Sequence, residues 1–245
     1  MNIKGVIKNS FLDWDGKIAS IIFTGGCNFS CPFCHNKSLA NDNSLVNINL
    51  DELFKYLQKN KKWIDGIVIS GGEPTTQKDL IAFMKKVKEK GFLIKLDTNG
   101  YKPEIIKESL EKKLVDYIAM DIKTGIKKDK YIKAIGFKNK IQQDTFDLHK
   151  IFESIKLIRD AKDKVKNFDF EFRTTICPVF VGLDDLLNIA ENIGNAKWYW
   201  QNFRKLGDLI DNQLKLINSY SILELDEFEK IVKTEFADCD IRKRY

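Results

Sequence analysis

Short apolar strands alternate with amphipathic helices along most of this 245-residue chain. Residues 18–24 form a β-branched run that ends in two glycines, and residues 51–59 place three apolar side chains on one helical face. The succession recurs, so we predict six strand–helix units and an irregular connection over residues 124–144. The predicted strands cover residues 18–24, 67–70, 92–97, 115–120, 168–176 and 197–203, and the predicted helices begin near residues 51, 80, 103, 145, 184 and 224.

This alternation predicts an α/β fold with parallel strands joined by right-handed crossovers. A closed barrel needs eight units, so two architectures remain: an open doubly wound sheet and an incomplete barrel with a gap in its wall. We find no tandem repeat, low-complexity tract or flexible linker, and we therefore predict a single domain over residues 1–245. Its core covers about residues 17–205, and residues 206–245 form a C-terminal extension.

Each predicted strand ends in glycines or polar residues. In both architectures the carboxyl ends of parallel strands meet at one edge, where α/β proteins carry their chemistry. Six such ends at a single rim would form an active site on this layout. The segments are Gly25-Gly26-Cys27, Ser70-Gly71-Gly72-Glu73-Pro74, Asp97-Thr98-Asn99-Gly100, Asp121-Ile122-Lys123, Arg173-Thr174-Thr175 and Gln201-Asn202-Phe203-Arg204.

The composition argues against several classes of protein. No apolar run approaches the roughly 18 residues that a membrane-spanning helix needs, and the first residues lack the apolar core of a signal peptide. We therefore expect a cytoplasmic protein with no membrane partner. Lysine and arginine number 41 against 35 acidic residues, a net charge of +6. Because the lysines are scattered among acidic residues, we interpret most of them as solvated surface and do not expect a nucleic-acid partner.

Three of the five cysteines stand close together, on the loop directly after the first predicted strand. Cys27, Cys31 and Cys34 have the spacing Cys-x3-Cys-x2-Cys, whose thiolates can surround one compact centre of zinc or of iron and sulfur. A structural zinc site needs a fourth ligand, and His35 directly follows Cys34, which makes the same tetrahedral ion hard to reach. Three ligands for a four-iron cluster would leave one iron open to a substrate. A catalytic iron–sulfur site is favoured, and a zinc site and unliganded thiols remain as alternatives.

The cysteine loop and the glycine-rich strand end resemble the two signature motifs of the radical S-adenosylmethionine superfamily. The first motif runs from Cys27 to Cys34 with the aromatic Phe33 before the last cysteine, and the second is Gly71-Gly72-Glu73-Pro74. The resemblance covers about residues 10–205 and implies the second architecture, an incomplete (β/α)6 TIM-like barrel. It also implies that the three cysteines hold one [4Fe–4S] cluster, whose open iron binds S-adenosylmethionine.

Three further segments are similar to the activating enzymes of glycyl-radical proteins: Cys34-His35-Asn36, Asp97-Thr98-Asn99-Gly100 and Asp121-Ile122-Lys123. Residues 10–17 and 201–204 look most like one branch, the anaerobic ribonucleoside-triphosphate reductase activating proteins. The resemblance implies an oxidoreductase that reductively cleaves S-adenosylmethionine to methionine and a 5′-deoxyadenosyl radical. That radical would take a hydrogen from a glycine of the partner reductase. An electron donor such as flavodoxin or ferredoxin would reduce the cluster.

The same resemblance implies roles for residues at the strand ends. Gly71 and Gly72 would let the backbone approach the methionine part of the cofactor, and Glu73 would accept from its ammonium group. Asp97 and Lys123 would contact the ribose and the methionine carboxylate. The full set of expected cofactor-binding residues is Phe33, Gly71, Gly72, Glu73, Asp97, Asn99, Lys123, Arg173, Thr175 and Arg204.

Three parts of the implied site involve the later strands. Arg173 and Thr175 would line the adenosine side of the cofactor. Arg204 stands where pyruvate formate-lyase activating enzymes have a histidine, and a guanidinium cannot act as a neutral acceptor, so its contact with the cofactor would differ from theirs. A monovalent cation site is also implied, with ligands from Asp97, Thr98 and Asp121.

Other functions remain open on the sequence. A radical S-adenosylmethionine enzyme of this length could act on a small molecule, in the manner of a 7-carboxy-7-deazaguanine synthase, or activate a pyruvate formate-lyase-like enzyme. A zinc-stabilised binding module is the alternative from a different class, since the net charge permits nucleic acid as its partner. The metal content separates the zinc module from the enzymes, and product analysis without a protein partner separates the small-molecule enzyme from the activating enzymes.

Overall fold

The computed structural model describes residues 1–41, 46–205 and 207–244. Its centre is one eight-stranded sheet whose strands follow one another in chain order from edge to edge. The strands are β1 (Ile3–Ser10), β2 (Ala19–Thr24), β3 (Gly66–Gly71), β4 (Leu93–Thr98), β5 (Tyr117–Asp121), β6 (Asp169–Ile176), β7 (Lys197–Asn202) and β8 (Asp240–Arg244). The first two strands pair antiparallel, and every later pair of neighbours is parallel.

Helices connect the parallel strands and cover one face of the sheet. Each connection leads to the next strand along, and with the right-handed crossovers that parallel strands favour, the sheet curls into the wall of a barrel. Among the described residues β8 does not pair with β1, so the wall stays open and the fold is an incomplete TIM-like barrel. The helices are α1 (Lys37–Asn41), α2 (Leu50–Lys59), α3 (Leu80–Glu89), α4 (Pro103–Glu111), α5 (Lys128–Ala134), α6 (Lys140–Thr145), α7 (His149–Lys164), α8 (Leu183–Ile193) and α9 (Ile222–Glu235).

The main apolar core lies between the outer face of the sheet and the helices. Ile67 and Ile69 of β3 are fully buried there, together with Leu57 of α2 and Met84 of α3. Successive side chains of a strand point to opposite faces, so Val68 lies on the inner face of the same strand. The helices thus fix the wall from outside and leave the inner side chains to shape the barrel interior.

The barrel interior contains a buried polar cluster beside its apolar side chains. Lys95 and Glu171 are 2% and 1% exposed, and the Lys95 Nζ atom lies 3.3 Å from Glu171 Oε1. The Tyr117 hydroxyl donates to Glu171 Oε2 at 2.9 Å. Because a buried charge without a partner is strongly destabilising, these groups must stay paired and so hold their three strands in register.

The six predicted strands correspond to β2 through β7, and the α/β fold with a parallel sheet is confirmed. β1 and β8 were not predicted, and they extend the sheet at its two edges. The predicted extension over residues 206–245 begins and ends on residues outside the described part of the chain, and α9 and β8 lie between them. None of the described helices combines the length and apolarity that crossing a membrane requires.

Two predictions about the segment before α7 are wrong. Residues 124–144 are not an irregular connection, because α5 and most of α6 lie within them. The helix expected to open at Asp144 or Thr145 begins at His149, and both of those residues belong to α6. Helices of seven and six residues are too short for an apolar period to stand out. Only the tertiary contacts of buried residues such as Tyr131 reveal them.

Candidate active site

The carboxyl ends of β2 to β7 surround a cavity of about 270 Å³. Every predicted site residue except Arg204 lines it. Arg204 is exposed beyond the end of β7. A larger groove of about 870 Å³ lies on the outer surface between α7 and α8, but none of the predicted site residues lines it. The fold thus brings together predicted site residues that are up to 148 positions apart, from Cys27 to Thr175.

Backbone hydrogen bonds and aromatic contacts hold the loop that carries the three cysteines. The Ser30 N–H donates to the Ile135 carbonyl at 2.9 Å, just after α5. Phe29 is buried with its ring centroid 5.5 Å from that of Tyr101. Phe33 is also buried, and it forms part of the cavity wall. The loop is therefore anchored on both sides before any cofactor binds.

The three cysteines of this loop face the cavity as free thiols. Cys31 is buried, whereas Cys27 and Cys34 are partly exposed. Burial disfavours a thiolate and raises the pKa of both Cys27 and Cys31 to about 12. These thiols therefore stay protonated until a positively charged centre replaces their protons, as metal binding does.

The cysteine loop offers the ligands that an iron–sulfur cluster needs. In a four-iron cluster each cysteine thiolate binds a different iron atom, and three cysteines of this loop face the same cavity. The residues that would hold the cluster are Cys27, Cys31 and Cys34.

The two glycines at the end of β3 pack against the turn that leads into the cysteine loop. Gly71 has a φ of +120°, and a Cβ there would lie 2.3 Å from the Thr24 nitrogen. A Cβ on Gly72 would lie 2.1 Å from the Gly26 carbonyl oxygen. The Glu73 N–H donates to that same oxygen at 2.9 Å. The glycines therefore allow close contact between two strand ends of the protein itself, in addition to any approach of a cofactor.

The Glu73 carboxylate is 1% exposed and links two loops. Its Oε1 atom accepts from the Thr75 N–H at 3.1 Å, from the Thr75 hydroxyl at 2.6 Å and from the Thr98 hydroxyl at 2.7 Å. Its Oε2 atom accepts from the Asn99 N–H at 2.7 Å. Burial raises the pKa of the carboxyl, although these donors act in the opposite direction. With four protein donors, Glu73 holds the glycine turn to the loop after β4.

Arg173 joins the carboxylates of two neighbouring strands at the rim of the cavity. Its Nε atom lies 2.8 Å from Asp121 Oδ1, and its Nη1 atom lies 3.4 Å from Asp97 Oδ1. Lys123 Nζ lies 2.9 Å from Asp121 Oδ2. Burial alone would raise the pKa of Asp121, but Arg173 and Lys123 outweigh it and lower the pKa to about 2. Arg173, Lys123 and the Asp121 carboxylate therefore face the cavity in their charged forms, and the Asp97 side chain lies beside them.

The residues implied for a monovalent cation are largely engaged with other groups. The Thr98 hydroxyl donates to Glu73 and accepts from the Gly100 N–H at 3.1 Å. Asp121 pairs with Arg173 and Lys123. The buried Asp97 Oδ1 atom is ion-paired with Arg173 at 3.4 Å but accepts no hydrogen bond from the described residues. An acceptor of this kind is available to a ligand that brings its own donor.

Several residues of the cavity wall were not among the predicted site residues. All six belong to the motifs or to the polar strand ends, so their position in those segments was the available signal. Asn36 Nδ2 donates to the Gly71 carbonyl at 3.4 Å and so connects the cysteine loop to the glycine turn. The additional wall residues are Phe29, His35, Asn36, Ser70, Pro74 and Gln201.

The fold and the site define a class of protein. The family model of the Radical SAM superfamily matches residues 21–170, which include the cysteine loop and the glycine turn. The chain therefore belongs to the radical S-adenosylmethionine superfamily.

Curated relatives place the chain near one group within that superfamily. MJ1227 of Methanocaldococcus jannaschii, which carries the name glycyl-radical enzyme activating enzyme, is 34% identical over 242 residues, 98% of this chain and 95% of that protein. The pyruvate formate-lyase-activating enzyme of Clostridium pasteurianum is 30% identical over 236 residues, 93% of this chain and 88% of that enzyme. The group that the motifs resemble is thus confirmed by relatives that match almost from end to end.

Solved structures support the fold. The crystal structure of Streptococcus suis SuiB bound to the precursor peptide SuiA matches with a TM-score of 0.63 at 15% identity. The match covers 92% of this chain and 48% of SuiB, so the chain spans about half the length of that protein. At this level of identity the match shows the barrel architecture alone.

Proposed function

We propose that this protein activates a glycyl-radical enzyme. It would cleave S-adenosylmethionine reductively and remove a hydrogen atom from a glycine of its partner, predicted to be anaerobic ribonucleoside-triphosphate reductase. The main support for this proposal is a cavity in which three free thiols face two cations and two carboxylates. The chain that forms this cavity is similar to activating enzymes over nearly its whole length. We propose further that the chain forms one domain and acts in the cytoplasm.

The proposed cofactors fit the residues around the cavity. When bound at Cys27, Cys31 and Cys34, one [4Fe–4S] cluster supplies the electron that breaks a carbon–sulfur bond of S-adenosylmethionine. Lys123 and Arg173 are held in their charged forms and can bind the carboxylate of the methionine part. We assign Phe33, Asn99 and Thr175 to the wall that orients the rest of the cofactor.

Two acidic residues have different parts in this proposal. Asp97 Oδ1 is ion-paired with Arg173 but accepts no hydrogen bond from the described residues, so it can accept one from an ammonium or a ribose hydroxyl. Glu73 is already surrounded by four protein donors, so we propose that it positions the glycine turn and does not itself contact the ammonium. Arg204 is exposed and would act only on a ligand that extends beyond the cavity.

A monovalent cation at Asp97, Thr98 and Asp121 is the further cofactor that the resemblance implies. Arg173 already places a positive charge between the two carboxylates, so a metal cation would have to share those oxygens with it. The rate of S-adenosylmethionine cleavage in potassium, sodium and a bulky organic cation tests this point. Equal rates in all three would exclude the cation site, and a clear dependence on potassium or sodium would support it.

The function is tested with anaerobically reconstituted protein. We would add an electron donor, such as flavodoxin or ferredoxin, S-adenosylmethionine and the candidate reductase, and record the electron paramagnetic resonance spectrum. A glycyl radical signal is expected on the reductase, and a reductase variant with alanine at that glycine is the control. Cofactor cleavage without a glycyl radical would reject this partner.

The same experiment separates the alternative functions. A radical on a pyruvate formate-lyase-like enzyme, and none on the reductase, would identify the other kind of activating enzyme. A new small-molecule product formed without any protein partner would instead indicate an enzyme such as 7-carboxy-7-deazaguanine synthase. Zinc in place of iron in the purified protein would reject all of these enzymes together.

A further inference from the structure

A short chain of amide hydrogen bonds leads from the loop after β4 into the cysteine loop. The Tyr101 N–H donates to Asn99 Oδ1 at 3.0 Å. Asn99 Nδ2 then donates to Asn28 Oδ1 at 2.8 Å. A backbone N–H can only donate, so the oxygen of Asn99 must face Tyr101 and its NH₂ group must face Asn28. The backbone thus sets the orientation of both side-chain amides.

This orientation leaves the side-chain NH₂ group of Asn28 without an acceptor to donate to. Its oxygen is engaged by Asn99, so its NH₂ group points away from that contact. The Asn28 Nδ2 atom is buried and has no hydrogen-bond partner among the described residues. Buried donors in folded proteins are almost always paired, so an unpaired one indicates an acceptor that arrives with a ligand.

The unpaired donor lies beside the first cysteine of the loop. Asn28 directly follows Cys27, and the Cys27 Sγ atom lies 3.8 Å from Asn28 Oδ1. The Phe29 N–H also points at this sulfur, at 3.4 Å. A cluster held by Cys27 would bring sulfur acceptors, the cysteine sulfur and the sulfides, close to this side-chain amide.

We propose that the side-chain NH₂ of Asn28 donates a hydrogen bond to a sulfur of the bound cluster, held in place by Asn99 and the Tyr101 N–H. This inference rests on the cluster of the proposed function. Reduction adds negative charge to the sulfurs, and a hydrogen-bond donor stabilises that charge. Through this direct contact Asn28 raises the reduction potential of the cluster, so that an electron donor can reduce it more easily.

The test is a redox titration of the reconstituted protein without S-adenosylmethionine. Asn28→Leu keeps a similar side-chain volume but removes the donor. We expect unchanged iron and sulfide content and a more negative potential, so that the ratio of reduced to oxidised cluster at one fixed ambient potential falls roughly threefold or more. The control is Asn192→Leu, which makes the same change on α8, where the Asn192 amide donates to the Asn188 carbonyl. A wild-type potential in Asn28→Leu would overturn the inference.

A second measurement does not depend on how well that variant assembles. Wild-type protein is labelled with a magnetic nitrogen isotope at its asparagine side-chain amides, and the reduced cluster is examined by electron–nuclear double resonance. We expect a coupling between the cluster and one labelled amide that persists in Asn36→Ser and is lost in Asn28→Ser. No coupling in wild-type protein would overturn the inference. A wild-type protein that binds no iron–sulfur cluster would instead reject the proposed function.

Discussion

Single residues at the cavity show how burial changes the part that a charged group plays. Glu73 and Asp121 are both carboxylates close to the proposed cofactor site. Glu73 is enclosed by neutral donors, and burial raises its pKa, whereas Arg173 and Lys123 overcome burial and lower the pKa of Asp121. A carboxylate paired with cations stays ionised and adds its negative charge to the site. A carboxylate enclosed by hydroxyl and N–H donors mainly holds loops together.

The cysteine assignment predicts the outcome of removing one proposed ligand. Cys31→Ala should abolish cofactor cleavage and sharply lower the iron content, because two thiolates cannot hold the cluster in place. The measurements are iron per protein and methionine formed under reducing conditions. Cys177→Ala is the matched control, since Cys177 is also buried but does not line the cavity. Normal turnover in Cys31→Ala would contradict the ligand assignment.

Asp121 predicts an acid-dependent loss of stability. Its pKa falls from an ordinary value of 3.8 to about 2, because Arg173 and Lys123 outweigh burial. The ionised carboxylate therefore contributes stability that is present above about pH 4 and is lost as the pH falls through about 2. Cluster-free wild type and Asp121→Asn are compared by their free energies of unfolding. The difference in favour of the wild type should shrink by about 2 kcal/mol as the pH falls from about 4 to about 2.

The measurement for Asp121 is chemical denaturation at several pH values between 2 and 7. Asp160→Asn serves as the control, because Asp160 lies exposed on α7 and pairs with Lys156 on the surface. Surface pairs contribute little, so the corresponding difference for Asp160 should hardly change with pH. A flat difference for Asp121 as well would mean that its carboxylate is not held by the two cations.

Secondary-structure elements determine how closely the loops of the site approach one another. β2 and β3 pair in parallel as far as Thr24 and Gly71, so the turns that follow them start side by side. One turn leads into the cysteine loop and the other contains Gly72. The close approach of the two strand ends therefore requires that Gly71 and Gly72 carry no side chain.

Gly72→Ala tests this requirement. The new Cβ would lie 2.1 Å from the Gly26 carbonyl oxygen, so one of the two turns must move. We expect a loss of about 1–3 kcal/mol in the free energy of unfolding, as is typical of overpacking, and a lower iron content after reconstitution. Gly182→Ala is the control, because a Cβ there meets nothing nearer than the Tyr220 hydroxyl at 4.0 Å. Equal stability in the two variants would contradict the close approach.

The whole sheet depends on its last strand as well as on the six strands that carry the site. β8 pairs with β7 along its length. The guanidinium of Arg244 lies 3.8 Å from the buried Glu171 and 3.6 Å from Asp15, a residue that precedes β2. The C-terminal strand thus contributes to the charge pairing inside the barrel. We therefore propose that the chain folds as one unit and not as a core with a dispensable extension.

Truncation after residue 205 tests this proposal. The shortened protein should lose its cooperative thermal transition or melt far below the full chain, because β7 gains a free edge and Glu171 loses a cationic partner. Thermal unfolding followed by circular dichroism measures the effect. A matched variant that keeps the full length, Arg244→Gln, should be only mildly destabilised, since Lys95 still pairs with Glu171. A truncated protein that melts like the full chain would show that the core is a separate unit.

Much of the fold was predictable because most of its elements bury one apolar face. The β-branched runs of β2 and β3 and the spaced apolar residues of α3 report that burial directly. β8 was missed because the segment Asp-Ile-Arg-Lys-Arg has almost no apolar residues. Arg244 approaches Glu171 and Asp15, and Arg242 pairs with Asp240 of the same strand, so the usual apolar pattern is absent. The short α5 and α6 escaped prediction because neither contains enough turns to show a period.

The sequence by itself determined the cysteine spacing, the glycine turn and the succession of strands, because these depend on residues that are neighbours in the chain. The tertiary structure alone decided which charges meet. Asp97, Asp121 and Arg173 lie on three adjacent strands, and strand register places Asp121 opposite Arg173. It also decided that Glu73 faces four protein donors and that Arg204 stays outside the cavity. The partner of a buried polar group comes from another strand or loop, and no local pattern specifies which one.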